Sequence, residues 1–252
     1  MKTSHPTVSA HQVVSRDEWL RAREELLTKE KELTRLRDEL SRQRRELPWV
    51  KVDKRYVFDG PHGRQTLPEL FAGRSQLIVY HFMFGPGWVE GGRACAFLAY
   101  HIDGTLVHLE HHDVSLVVVS RAPRLEVEAF KKRMGWRFKW VSSYGADFNF
   151  DYHVSFRPGD LAKGKVFYNY QWRNSSSEEQ PGVSVFYKDA AGDVFHTYSA
   201  YARGGDLLLG TYNYLDLTPK GRNESGAMSW VRLHDTYDDS YSAATATVDE
   251  GR

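Results

Sequence analysis

A charged segment near the start of the chain carries apolar residues at a helical spacing. It begins at Ser15, which is followed three residues later by Glu18 in the pattern of a capping box, and it ends before Pro48. The leucines that recur every seven residues within it are Leu26, Leu33 and Leu40. The pattern predicts a helical arm over residues 15–47, with flexible residues 1–14 before it.

This arm has two interpretations. An amphipathic helix usually packs its apolar stripe against its own domain. A seven-residue apolar repeat also supports a supercoil, so the alternative is that the arm is the seam of a homodimer. The repeat alone does not choose between them.

Short apolar runs alternate with amphipathic segments after Pro48. A hairpin is predicted first, over residues 56–67. The segments that then have the patterns of strand, helix, strand, helix and strand are 76–84, 93–112, 115–123, 124–136 and 137–144. This order is typical of an α/β layer with neighbouring parallel strands.

Antiparallel patterns dominate the last third of the chain. Two segments alternate aromatic with polar residues, a hairpin is predicted over 182–204, and a closing helix follows over 205–217. Parallel strands followed by a hairpin and a helix describe a thioredoxin-like α/β fold, here over residues 48–237. The acidic segment 238–252 is predicted to be a flexible tail.

The charge, hydropathy and cysteine content of the chain exclude several classes of partner and site. The net charge of +1 gives the chain no general attraction to nucleic acid or anionic membranes. No apolar run approaches the roughly 20 residues that span a bilayer, and the first residues lack the apolar core of a secretory signal. We therefore expect a cytoplasmic protein without nucleic-acid or membrane partners. Cys95 is the only cysteine, which excludes an intramolecular disulfide and a zinc site of several thiolates.

Six segments resemble one known family. They are "PWVKVDKRYVFDGPHG", "YHFMFGP", "VVVSRAP", "SVFYKDAAGDVFHTYSAYARGGD", "GTYNYLDLTPKGRNE" and "WVRLHDTY". They are similar to the family called domain of unknown function 899, over roughly residues 10–237. The resemblance implies a thioredoxin fold of the dithiol-disulfide oxidoreductase type. In that fold Pro181 is expected near the loop at 85–95, with either a cis or a trans peptide bond.

This chain differs from the family at the C-x-x-C motif. Relatives typically carry C-x-x-C after the "FGP-W-EG" segment, where this chain has Gly92, Arg93, Ala94 and Cys95. The first cysteine, which normally supplies the attacking thiolate, is thus replaced by Gly92. Dithiol exchange within one chain is excluded. Cys95 is then either a reactive monothiol or a small buried structural residue.

Histidines after Cys95 suggest a metal site. His108 and His112 lie four residues apart, which suits two ligands of one ion on a helix. His101 is about 10 Å further along that helix and cannot share the ion. The candidates for a third ligand are His81, His153 and His196, with iron, copper or zinc as the ion. Histidines near a helix C-terminus also stabilise the helix dipole without any metal.

Other residues near the loop are candidates for chemistry. Glu90 is a candidate general base or a first-turn dipole partner, and His81 lies at the end of the predicted central strand. Together with Cys95 these form the predicted catalytic set. The predicted substrate-binding residues are Trp88, Arg93, Tyr80 and Phe84.

Three functional hypotheses follow. The first is a redox enzyme rebuilt around His81, His108 and His112, a metal-dependent oxidase or oxygenase that acts on a small organic substrate, with an aromatic compound as one candidate. The second is a metal-free binding or catalytic module that uses the old redox pocket for a small molecule. The third is a monothiol peroxidase or reductase using Cys95. None requires a nucleotide cofactor.

Overall fold

A computed structural model describes residues 11–237 of the chain, so the predicted flexible segments at both ends lie largely outside it. The strands are β1 (Val50–Lys51), β2 (Val57–Gly60), β3 (Gly63–Thr66), β4 (Gln76–His81), β5 (Val114–Ser120), β6 (Lys139–Ser142), β7 (Val166–Tyr168), β8 (Gln171–Arg173), β9 (Gly182–Lys188) and β10 (Val194–Tyr201). The α-helices are α1 (Arg16–Arg45), α2 (Leu67–Leu70), α3 (Arg93–Ala99), α4 (Leu106–His111), α5 (Arg124–Arg133), α6 (Phe148–Asp151), α7 (Pro158–Ala162) and α8 (Gly210–Leu215). Two 3-10 helices cover Ala202–Leu208 and His234–Thr236.

One mixed sheet organises the molecule, with the strand order β1-β10-β9-β4-β5-β6-β2-β3. Strands β4, β5 and β6 run parallel, whereas β9 pairs antiparallel with the other side of β4. The unit β4-α3-α4-β5, followed by the hairpin β9-β10 and helix α8, is a thioredoxin-like arrangement. The predicted fold class is therefore confirmed.

The central strand β4 is buried on both faces. Successive residues of a strand point to opposite faces, so β4 contributes alternately to two separate cores. Tyr80 and Phe82 pack in the core that holds α3 and α5. Leu77 and Val79 pack in the core that holds α2 and α6. A continuous apolar run is what such a two-sided position requires.

The helix predicted over 93–112 is interrupted. It ends after Ala99 and restarts only at Leu106, with turns between. Within those turns, the Asp103 carboxylate accepts hydrogen bonds from the backbone N–H groups of Arg137 and Phe138, each at 2.8 Å. The break thus satisfies two donors at the entry to β6, a long-range role that local periodicity does not encode.

The closing helix is also divided. A 3-10 helix runs to Leu208, and α8 begins at Gly210. A side chain at Gly210 would meet the ring of His101 at 2.9 Å, so this close approach requires glycine. The His101 Nε2 atom accepts the Thr211 N–H at 2.9 Å. His101 therefore has a structural role in holding α8.

Helix α1 begins as predicted, with Ser15 and Glu18 exchanging the two hydrogen bonds of a capping box. None of its residues is buried by the described chain. The interpretation that its apolar stripe packs against its own domain is therefore wrong.

No helix within residues 11–237 is long and apolar enough to cross a membrane.

Candidate functional site

The loop after β4 meets the start of α3 at Gly92. The Gly92 N–H donates to the Met83 carbonyl at 2.8 Å, and the Gly92 carbonyl accepts the Ala96 N–H at 2.9 Å. These two bonds fix the junction of strand, loop and helix. The backbone of the following turn holds Cys95 directly beside it.

Gly92 leaves room for a side chain. A Cβ atom placed there would lie 3.4 Å from the Met83 Cβ and carbonyl oxygen and 3.8 Å from the Cys95 Sγ, all ordinary van der Waals contacts. The neighbouring Gly91 differs, because a Cβ there would lie 2.5 Å from the Phe82 ring and 2.8 Å from the Phe130 ring. The junction therefore tolerates a small side chain at position 92 and not at 91.

Cys95 is buried, with 1% of its surface exposed. Its Sγ accepts the Met83 N–H at 3.4 Å. Burial raises the pKa of the thiol from 9.0 to about 11, against the opposing effects of its hydrogen bonds. The thiol is thus protonated at neutral pH and lacks the nucleophilic form that peroxide or disulfide chemistry requires.

A cavity of about 470 Å³ adjoins Cys95. One side consists of residues from the thioredoxin core, namely Tyr80, Ala94, Cys95, Leu98 and Val183. The other side comes from the chain after β10, and includes Ala200, Leu209, Tyr212 and Met228. Pro181, whose peptide bond is trans like all others in the described chain, also lines it. The volume and the mainly apolar lining suit a small organic ligand.

Charged residues surround the mouth of this cavity. Arg222 pairs with Asp216 through two contacts of 2.7 and 2.8 Å, and its guanidinium lies 3.9 Å from the centre of the Tyr212 ring. Arg203 pairs with Asp206 at 2.9 Å. Each of these cations is therefore neutralised by a neighbouring carboxylate.

Glu224 differs from the other acids at the mouth. One of its oxygens, Oε2, accepts the Tyr212 hydroxyl at 2.8 Å and the Met228 N–H at 2.9 Å. Burial raises the pKa of Tyr212 to about 12, with a smaller contribution from its hydrogen bond to this carboxylate. The Tyr212 hydroxyl therefore keeps its proton and remains a hydrogen-bond donor. Among residues 11–237, Glu224 forms no salt bridge with a cation. It supplies the uncompensated negative charge of the cavity.

Most predicted substrate-binding residues lie elsewhere. Tyr80 lines the cavity, and its hydroxyl donates to the Cys95 carbonyl at 3.3 Å. Phe84 is buried among core aromatics, where its ring lies 5.4 Å from that of Phe130. Trp88 folds back over Gly85, and Arg93 is exposed outside the cavity lining. Of these four predicted contacts, the structure brings only Tyr80 to the cavity.

Glu90 is not placed as a general base of this cavity. Its carboxylate accepts the Arg133 guanidinium at 3.1 Å and remains 42% exposed. Arg133 also binds Asp235 at 2.7 Å. Glu90 therefore belongs to an ion-pair network that attaches the end of the described chain to α5.

His81 lies on the opposite face of β4 from the cavity. Its ring packs against those of Phe148 and Tyr152, and its Nε2 lies 2.8 Å from the Ser184 hydroxyl. The Ser184 and Ser199 hydroxyls are 2.9 Å apart, and Ser199 in turn lies 2.7 Å from His196 Nε2. Burial lowers the pKa of His81 from 6.5 to about 3, so the ring is neutral in the fold. It cannot act on a ligand beside Cys95.

The predicted metal ligands do not come together. His112 lies beside Gln76 at the start of β4, and its carbonyl accepts the Gln76 side chain at 3.5 Å. His81 ends the same strand, roughly 16 Å away at about 3.3 Å per residue. Within the described part of the chain, no three histidine, cysteine or carboxylate side chains group closely enough to hold a metal ion. The set His81, His108 and His112 therefore does not fit a metal, which corrects the sequence interpretation.

The strand order and the junction at Gly92 define a thioredoxin-fold protein. The chain belongs to the family described as bacterial protein of unknown function (DUF899), which matches residues 8–237. No curated protein matches the sequence.

Solved structures with a similar arrangement include peroxiredoxin-type proteins. A PrxQ mutant from Xylella fastidiosa has 10% identity and a TM-score of 0.41, with 63% of this chain and 88% of that chain covered. Peroxidoxin BcpB from Mycobacterium tuberculosis has 13% identity and a TM-score of 0.38, covering 67% and 97% respectively. A putative protein disulfide isomerase from Bacteroides thetaiotaomicron has 17% identity and a TM-score of 0.35, covering 71% and 94%. The fold assignment itself rests on the strand order.

The sequence interpretation missed the outer wall of the cavity. Tyr212, Arg222 and Glu224 all lie in "GTYNYLDLTPKGRNE", one of the segments that carry the family resemblance. This segment is rich in polar and aromatic residues although it lies outside any predicted core, and that composition could have marked it as a candidate binding surface. Only the fold shows that this segment lies opposite Cys95.

A cysteine introduced at position 92 tests the geometry of the junction. We expect the Gly92→Cys variant to fold and to form a disulfide with Cys95 on mild oxidation, because its Cβ would lie 3.8 Å from Sγ. Mass spectrometry of the intact protein would show the loss of two hydrogens. The Gly91→Cys variant is the matched control, expected to be destabilised by its clash with two rings. A Gly92→Cys protein that keeps two free thiols would contradict this geometry.

His81 makes stability depend on pH. The unfolded chain binds a proton below pH 6.5, whereas the folded ring does so only near pH 3. The free energy of unfolding should therefore fall as pH decreases through this window, by up to about 1.4 kcal/mol per pH unit from this group. Denaturant titrations at several pH values should show that the free energy of unfolding depends less steeply on pH in the His81→Gln variant than in the wild type. The exposed His62→Gln variant should keep the wild-type slope, and parallel curves for all three proteins would refute the assignment.

Proposed function

We propose that this protein binds a small organic molecule in the cavity beside Cys95, as a metal-free binding or catalytic module in the former redox pocket of a thioredoxin fold. The observation that carries this proposal is the cavity itself, about 470 Å³ with a mainly apolar lining. It lies against α3, at the position where a dithiol protein would present its sulfurs. Ligand recognition thus takes the place of thiol exchange.

Cys95 contributes shape to this pocket and not a nucleophile. Its thiol is buried and its pKa is raised to about 11. The chain has no second cysteine to resolve a mixed disulfide. This supports the binding module over the monothiol enzyme. The separation of His81 from His112 removes the support for an oxidase built on those histidines.

The charges at the mouth favour a ligand with a cationic or hydrogen-bond-donating group. Arg203 and Arg222 already pair with Asp206 and Asp216. Glu224 keeps an oxygen free of the two bonds that hold Oε2. A charge-assisted hydrogen bond from an amine to this carboxylate would place an apolar body against Tyr80, Leu98 and Val183. We therefore propose a small aromatic or aliphatic amine as the ligand class.

Matched probes test this proposal. Benzylamine and benzoate have similar shape and opposite charge, and their binding can be compared by chemical-shift titration of the wild-type protein. We expect benzoate to bind at least about tenfold more weakly, the equivalent of one charge-assisted contact. The Glu224→Gln variant should lose this preference, because it keeps an acceptor and loses the charge.

A blocking variant locates the binding site. Ala94 is exposed and lines the cavity, so Ala94→Trp should close the mouth and abolish binding of both probes. Arg93→Trp adds the same bulk one residue away, outside the cavity lining, and should bind as wild type does. Unchanged binding in Ala94→Trp would overturn the site, and equal affinity for benzoate would overturn the ligand class.

A further inference from the structure

The apolar stripe of α1 has no partner within the described chain. The helix has 30 residues, and so is about 45 Å long. Leu26, Leu33 and Leu36 are 51%, 66% and 56% exposed. Helices in proteins gain most of their stability from packing an apolar face, and this one has none buried. The stripe therefore calls for an occupant other than residues 11–237 of the same copy.

The sequence of α1 fits a heptad repeat in one phase. The first core position (a) is apolar throughout, with Trp19, Leu26, Leu33 and Leu40. The second core position (d) is mixed, with Ala22, Lys29, Leu36 and Gln43. Two polar d residues weaken a purely apolar seam, which gives more weight to the charges that flank it.

The flanking charges are sorted by position. On one flank (g) every residue is acidic, and the set is Glu18, Glu25, Glu32 and Glu39. On the other flank (e) three of four are basic, and the set is Arg23, Glu30, Arg37 and Arg44. Such a helix carries opposite charges on the two sides of its own apolar stripe.

We propose that α1 forms a parallel, in-register, two-stranded coiled coil with α1 of a second copy of this chain. In that arrangement each g residue faces the e residue five positions later on the partner. The three attractive pairs join Glu18, Glu32 and Glu39 to Arg23, Arg37 and Arg44 of the partner subunit. The remaining pair sets Glu25 against Glu30 and is repulsive, and Arg23, which lies 2.7 Å from Glu30 of its own helix, is shared between Glu30 and Glu18 of the second copy.

The same charges exclude the antiparallel arrangement. There g residues face g residues, so two rows of four glutamates would meet. A foreign partner would have to reproduce both rows in the complementary order. A second copy does so automatically, which is why the occupant is the chain itself.

Charge reversal tests this assembly in the full chain. By sedimentation equilibrium we expect the wild type to be a dimer. Two double variants reverse one flank each. The first carries Glu32→Arg and Glu39→Arg, the second carries Arg37→Glu and Arg44→Glu, and each should be monomeric on its own. An equimolar mixture of the two should recover a dimer, since their flanks are complementary. Glu24→Arg, on the outer face, is the control and should remain dimeric, with circular dichroism verifying the helix in every variant.

Other results would overturn the proposal. A wild type that is monomeric at tens of micromolar removes the dimer. Self-association of the Glu32→Arg, Glu39→Arg variant would instead indicate antiparallel pairing, because its new arginines would then face Glu18 and Glu25 of the second copy.

Cross-linking gives an independent readout of register. The Leu36→Cys variant adds one exposed thiol, since Cys95 is buried. Oxidation should yield a covalent dimer in a parallel, in-register pair, because Leu36 then meets its own copy at the seam. The outward Lys31→Cys variant is the control and should remain uncross-linked. An absence of cross-linked Leu36→Cys protein would contradict the proposed register.

Discussion

The alternation of side chains along β4 is the constraint on which the candidate site depends. Because β4 lies between β5 and β9 in the middle of the sheet, each of its residues must face one of two cores. Tyr80 faces the core that holds Cys95, and His81 faces the other. One peptide unit thus separates a residue that lines the cavity from one that cannot reach it. The alternation of side chains between the two faces of β4 therefore determines which of them share a site.

Much of the fold was predictable from the sequence because it is encoded locally. The apolar runs at β4 and β5, the turn of the β9-β10 hairpin and the Ser15 capping box all carry their signals within a few residues. The interruption before α4 has a local signal, because Asp103-Gly104 is a pair typical of turns. The role of Asp103 was not predictable, since the two backbone donors that it binds lie more than thirty residues away.

The candidate site was predictable only in part. Tyr80 and Cys95 could be placed because the central strand and the following helix were recognised. The wall formed by Tyr212, Glu224 and Met228 depends on how the last part of the chain returns over α3, which no local pattern records. Histidine spacing on one helix was misleading for a related reason. It fixes which residues are neighbours along the helix and not what faces them across the fold.

The outer wall of the cavity, formed by the chain after β10, is attached by polar contacts such as Arg133 with Asp235 and the Tyr100 hydroxyl with His234. It is also attached by apolar side chains, since Leu209, Val231 and Leu233 are buried in the core that holds α3. These polar contacts join residues that are about 100 positions or more apart in sequence, and forming them costs loop-closure entropy. Because this wall lies outside the sheet, its local opening would uncover Cys95 while the sheet stays intact. Cys95, as the single buried thiol beneath it, is therefore a built-in reporter of that opening. Its rate of modification under native conditions measures the free energy of opening this wall, separately from that of unfolding the whole chain.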